Sequence, residues 1–87
     1  MNDSIIKLAK EVPIVDILEK LEIPYKSVGS QIKIQCLWHE EYDPSFVIYD
    51  SNWGHCFGCG VNKDSIDIVK ELLDLSFVDA VEFINLI

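Results

Sequence analysis

The chain has no arginine, and all seven of its positive side chains are lysines, against fifteen acidic residues. A polyanion of net charge −8 repels phosphates, which argues against a strong free-standing nucleic-acid binder. No apolar run approaches the length of a membrane span, and the start, MNDSIIKLAK, has neither a basic leader nor the apolar stretch of a signal peptide. The expectation is therefore a cytoplasmic protein with no membrane partner. There its three cysteines stay reduced and serve metal binding better than disulfides. With only 87 residues the chain is expected to be one domain, 1–87, whose core alone gives marginal stability and calls for a staple.

The charge is uneven. Residues 1–24 carry three lysines and five acids, residues 25–63 three and four, and residues 64–87 one and six. The centre is thus nearly neutral and the acid sits at the C-terminal end.

The pattern of apolar residues gives an α+β fold: a small ribbon of about three antiparallel strands, flanked by N- and C-terminal helices. Helices are expected within 3–23, where Ile14, Ile17, Leu18 and Leu21 share one face and Pro13 suits a helix start. From residue 28 to 60 the period changes to two. SQIKIQC alternates, SFVIYD follows with Phe46 and Ile48 on one side, and Ser51-Asn52 turns the chain back into WGHCF. Helices resume over 64–87, with Asp64 or Ser65 capping one and Ser76 the other.

Cys36 and His39 stand three apart, as do Cys56 and Cys59, in the pattern C-x2-H-x16-C-x2-C. Two residues between ligands let a tight turn aim both side chains at one ion, and four such ligands close a tetrahedral structural zinc site. One structural Zn2+ is the expected cofactor. Gly58 and Gly60 supply residues free to take positive φ in the second knuckle. His55 competes with His39 for the fourth position, but it precedes Cys56 on a strand and so points to the opposite face. His39-Glu40 with the later C-x-x-C also echoes zinc-dependent nucleobase deaminases. Against that reading, Cys36 fills the position a catalytic water needs, His rather than Pro precedes Cys56, and the chain is short for a deaminase core. No other acid, base or nucleophile cluster is present, so the chain is not expected to be an enzyme by itself.

In order along the chain stand IVDILEKL, CLWHEE, DPSFVIY, HCFGCG and KDSIDIVKELLDLSFVDAVEFI. Over residues 13–87 this resembles the N-terminal zinc-binding domain of bacterial and phage DnaG-type DNA primases. The resemblance implies a zinc ribbon that meets single-stranded template beside a separate catalytic domain. A replication-priming accessory or regulatory module, of host, phage or mobile-element origin, follows as the expectation. Its partner would be a DNA polymerase, a primase catalytic subunit or a helicase, and its own affinity for single-stranded DNA would be weak. Lys33, Trp38, Tyr42, Tyr49, Trp53, His55 and Lys63 are the candidate strand contacts, because aromatic faces stack on bases and lysines meet phosphates. Phe46 and Phe57 are expected in the core.

A different class of function stays open: an adaptor that keeps the ribbon as scaffold and binds protein instead of DNA. The last helix carries an apolar stripe wide for so small a core, which makes Phe77, Val81, Phe83, Ile84 and Ile87 candidate partner contacts.

Overall fold

The computed structural model describes residues 3–38 and 45–87. Two helices open the chain, α1 (Asp3–Glu11) and α2 (Ile14–Lys20). Pro13 precedes α2 at φ −58 and ψ 133, where its missing N–H costs nothing, and Ile14, Ile17 and Leu18 are buried along one side of the helix. The helix ends in a Schellman-type turn: Glu22 takes a φ of 58 and the Ile23 N–H reaches the Leu18 carbonyl at 2.8 Å.

Five strands follow as an antiparallel meander ordered β1-β2-β3-β4-β5: β1 (Lys26–Val28), β2 (Gln31–Ile34), β3 (Phe46–Ile48), β4 (Trp53–Cys56) and β5 (Asn62–Asp64). The three strands read from alternation are β2, β3 and β4. The two additional ones are three-residue edges, too short to show a period of their own. β5 also runs straight into α3 (Ser65–Leu73), so the same Asp64 that closes the strand caps the helix. Its side chain accepts from the Asp67 N–H at 2.9 Å while Asp67 accepts from the Asp64 N–H at 3.1 Å, a reciprocal capping box. Ser76 caps α4 (Phe77–Asn85) by accepting from the Asp79 N–H.

Two packed clusters lie back to back. The inner face of the sheet brings Ile34, Phe46, Ile48 and Cys56 against Ile14 and Leu18 of α2 and Ile68 of α3. The second cluster is helical, with Ala9, Ile17, Ile66, Val69, Ala80, Val81 and Ile84 drawn from all four helices. Helices α2 and α3 serve both, which ties the ribbon to the helical layer. Ser65, fully buried, keeps its hydroxyl satisfied on the Ala9 carbonyl at 3.2 Å.

Two expectations change here. Val81 and Ile84 are wholly inside the helical cluster and offer nothing to a partner. The stripe on α4 is wide because the helix packs against both α1 and α3, and a helix touching two neighbours needs a broader apolar arc. Phe83 is half-buried, and only Phe77 and Ile87 of the five candidates remain exposed. Phe57 is 67% exposed instead of forming part of the core, because Cys56 points inward and the next residue along a strand must point outward. Phe46 is fully buried, as expected.

Candidate metal centre and the outer face of the sheet

β2 leads directly into Cys36, and β4 ends on Cys56, so the pairing of β2 and β4 on either side of β3 brings the two knuckles to the same end of the sheet. The thiols of Cys36, Cys56 and Cys59 lie within 4.8 Å of one another, with Cys36 and Cys59 Sγ atoms 3.8 Å apart. Thiolates held ~2.3 Å from one zinc in a tetrahedron stand about 3.8 Å apart, so the donor set fits that ion in type and spacing. Backbone N–H groups already point at the sulfurs: Trp38 N donates to Cys36 Sγ and Cys59 N to Cys56 Sγ, each at 3.4 Å. In the second knuckle only Gly60 takes a positive φ, of 81, closing the turn through its N–H to the Cys56 carbonyl at 2.8 Å. Gly58, expected to do the same, does not.

The two inner thiols differ. Burial pushes the Cys36 thiol up to about 11. Burial acts in the same direction on Cys56, but the Ser45 hydroxyl, the Cys59 N–H, Cys36 and the Gly58 N–H together outweigh it and bring that thiol down to about 6. Of these two, Cys56 reaches the thiolate form more readily.

His39 and Tyr42 lie outside the described residues. His55 is not among the gathered ligands: its Nδ1 faces Asn62 Oδ1 at 2.8 Å on the opposite side of β4.

The remaining strand-contact candidates separate into two groups. Residues paired across an antiparallel ladder project to the same face. The registers Lys26↔Lys33, Lys33↔Val47, Val47↔His55 and His55↔Asn62 therefore form one row across the outer face. Tyr49 and Trp53 stand beside it with ring centroids 4.8 Å apart, and Phe57 meets the His55 ring edge-on at 4.9 Å. Lys33, Tyr49, Trp53 and His55 thus share a face, joined by Lys26 and Phe57, which the sequence reading did not select. Alternation along WGHCF held the signal for Phe57, whereas Lys26 becomes visible only once the turn at Gly29-Ser30 pairs β1 with β2. Trp38 and Lys63 are elsewhere. The Trp38 ring packs on Phe46 at 5.4 Å and the Lys63 ammonium sits 5.0 Å above it, so this pair covers the metal end of the core.

The family model described as CHC2 zinc finger matches residues 1–86, and the chain belongs to that family. It is 36% identical over 84 residues to the DNA primase of Neisseria meningitidis serogroup A, covering 95% of this chain and 14% of that protein. With the DNA primase of Aquifex aeolicus it shares 35% identity over 81 residues, 92% of this chain and 16% of the relative. The crystal structure of the Aquifex aeolicus primase, comprising zinc binding and RNA polymerase domains, superposes with a TM-score of 0.79 at 33% identity, over 97% of this chain and 21% of that one. The chain accordingly spans about one-seventh of the curated primases it matches. It is a primase-type zinc-binding unit holding one structural zinc. No helix among the described residues is long and apolar enough to cross a membrane.

Proposed function

We propose that this chain is the template-contacting zinc module of a DNA priming machine. In this reading Cys36, His39, Cys56 and Cys59 hold the zinc, and the chemistry of nucleotide joining belongs to a catalytic partner. Four protein ligands leave the metal no open position for a reacting water, so its part is to fix the two knuckles and the strand ends they carry. The partner is a primase catalytic subunit, a DNA polymerase or a helicase. This unit acts beside it as an accessory or regulatory element.

One observation carries the reading: in a chain of net charge −8, the outer face of the sheet presents Lys26, Lys33, Tyr49, Trp53, His55 and Phe57. The acid nearest in register, Asp64, is committed to capping α3 and to an ion pair with Lys10 at 3.8 Å. Exposed aromatic faces with adjacent lysines are the arrangement that holds a single strand by stacking and phosphate contact.

The test is primer synthesis by the complex of this chain with the catalytic protein that co-purifies with it. With zinc content and partner binding checked, Trp53→Ala should lower primer yield about five- to tenfold, the size of one lost base stack, and Lys33→Ala should lower it by less, through one lost phosphate contact. Yields equal to the parent would leave the ribbon as a scaffold and favour the adaptor reading, with Phe77 and Ile87 as its exposed apolar contacts. Elemental analysis of His39→Ala and Cys59→Ser variants checks the ligand set separately, each expected to lose the metal.

A further inference from the structure

Lys26 and Lys33 face each other directly across the β1–β2 ladder. Like charges in that position repel, and an acid-rich chain could easily have placed a carboxylate beside them. Among the described residues neither takes part in an ion pair; the one pair recorded there joins Lys10 to Asp64. Three acids stand near in the chain, Asp16 and Glu19 on α2 and Glu22 just after it, and none is ion-paired with either lysine; Glu19 accepts instead from the Tyr25 hydroxyl at 2.7 Å.

Both lysines line a groove of about 420 Å³ at the end of the sheet, where the α2–β1 connection, the end of β2 and the last turn of α3 meet. Its floor is apolar, made by Ile23, Pro24, Ile34, Leu37 and Leu72. That volume lies within the range of small-ligand sites, which are mostly apolar with a few convergent polar groups.

We infer that this groove binds a free nucleoside polyphosphate, its base against the apolar floor and its phosphates on Lys26 and Lys33. An apolar floor suits the aromatic body of a base better than a polar one. Two adjacent positive charges match a di- or triphosphate better than the single charge of one phosphodiester, which is why a free nucleotide is favoured over a unit of the template strand. Binding relieves the repulsion between the lysines, so the site is stabilised only when occupied. The groove shares Lys26 and Lys33 with the proposed strand-binding face but not the aromatic row of β4, so Trp53→Ala separates the two: it should weaken a single strand and leave ATP binding unchanged.

The probe is ATP, titrated without divalent cations into the zinc-loaded chain and followed by amide chemical shifts. A Kd below about 1 mM is expected, with shifts confined to the Ile23–Lys26, Lys33–Leu37 and Leu72 backbone. Adenosine and inorganic tripolyphosphate should each bind at least about tenfold more weakly, because each keeps one half of the recognition. The Lys26→Gln, Lys33→Gln double variant should weaken ATP about tenfold. Leu72→Ala, checked for zinc and melting temperature, should weaken ATP and leave tripolyphosphate unchanged. Equal binding of ATP and tripolyphosphate, an unaffected double-lysine variant, or no binding at millimolar ATP overturns the proposal. So does an ATP response that moves to Trp53 and His55 and is lost in Trp53→Ala, which would make the nucleotide a weak substitute for template on the outer face.

Discussion

Asn52, in the turn between β3 and β4, accepts the backbone N–H of Ile14 at 2.8 Å. Pro13 offers no capping side chain, so the first turn of α2 takes its cap from a residue 38 positions away. The amide nitrogen of Asn52 donates to the carbonyls of Lys10 and Val12, both at 2.8 Å, which closes the α1–α2 connection onto the hairpin. One side chain therefore locks the N-terminal helices to the strand pair that carries Cys56. Asn52 also sits at a φ of 69, a conformation Asn tolerates better than most residues.

Asn52→Ala should destabilise the zinc-loaded protein by about 2–3 kcal/mol, from the lost hydrogen bonds and the strained backbone together. Asn52→Gly removes the same bonds without the strain and should lose about 1 kcal/mol less. Chemical denaturation of the three proteins gives the comparison. Equal stability of parent and Ala variant would mean that the cap is replaced by water.

Gly54 lies beneath the ring of Phe46, and a Cβ there would overlap the ring at Cε1 and Cζ. The Phe46 ring is fully buried and backs onto Trp38, so it has no free direction in which to move. Gly54→Ala should therefore cost about 1–3 kcal/mol by overpacking, although alanine is otherwise a mild change in a strand. A Phe46→Leu, Gly54→Ala double variant should recover part of that loss, and a melting series reads both effects.

The expected zinc affinity follows from the two inner thiols. Cys36, pushed up to about 11 by burial, still carries its proton at neutral pH, and zinc must displace it. Affinity should therefore rise with pH, at least about tenfold per unit through the neutral range, where this one proton is released on binding. Cys56, lowered to about 6, is already a thiolate there and adds to the slope only when the pH falls through that value, where its contribution is lost. Competition with a chromophoric chelator at several pH values measures the slope. An affinity independent of pH between 7 and 8 would show that Cys36 meets the metal without releasing a proton.

Much of this architecture is written in short-range patterns. The spacing of the three cysteines brings them together because each knuckle is a local turn, and the hairpin between β3 and β4 needs only Ser51-Asn52 to return the chain. Capping of α4 by Ser76 was readable for the same reason, and for α3 the choice narrowed to Asp64 or Ser65, of which the structure uses Asp64. What alternation could not give was the partnership of elements distant in sequence. Val81 and Ile84 look available until α1 and α3 are known to close over them. β1 is invisible until it pairs with β2, and with it the opposed lysines. Phe57 was legible but outweighed by composition, since a large aromatic beside a ligand cysteine suggests burial, whereas the inward Cys56 forces it out.

Strand binding by the free, zinc-loaded chain should be weak and only shallowly dependent on salt. The outer face carries two lysines, Lys26 and Lys33, and each neutralised phosphate contributes about −0.7 to the slope of log affinity against log salt for a single strand. A slope near −1.4 is expected, a value a protein rich in arginine would exceed severalfold. The remaining affinity should come from stacking, so Phe57→Ala and Trp53→Ala should each weaken a short oligothymidylate about fivefold or more, with little change in slope. Phe57 is the sharper test because it is 67% exposed and its ring touches His55 rather than the core, so its removal leaves the fold intact. Trp38→Ala, by contrast, should act through stability and not through the strand, since that ring packs between Phe46 and Lys63. Fluorescence anisotropy at four salt concentrations separates the two effects. If Trp38→Ala abolishes binding in a zinc-replete, folded protein while Phe57→Ala leaves it unchanged, the strand lies at the metal end and not across the outer face.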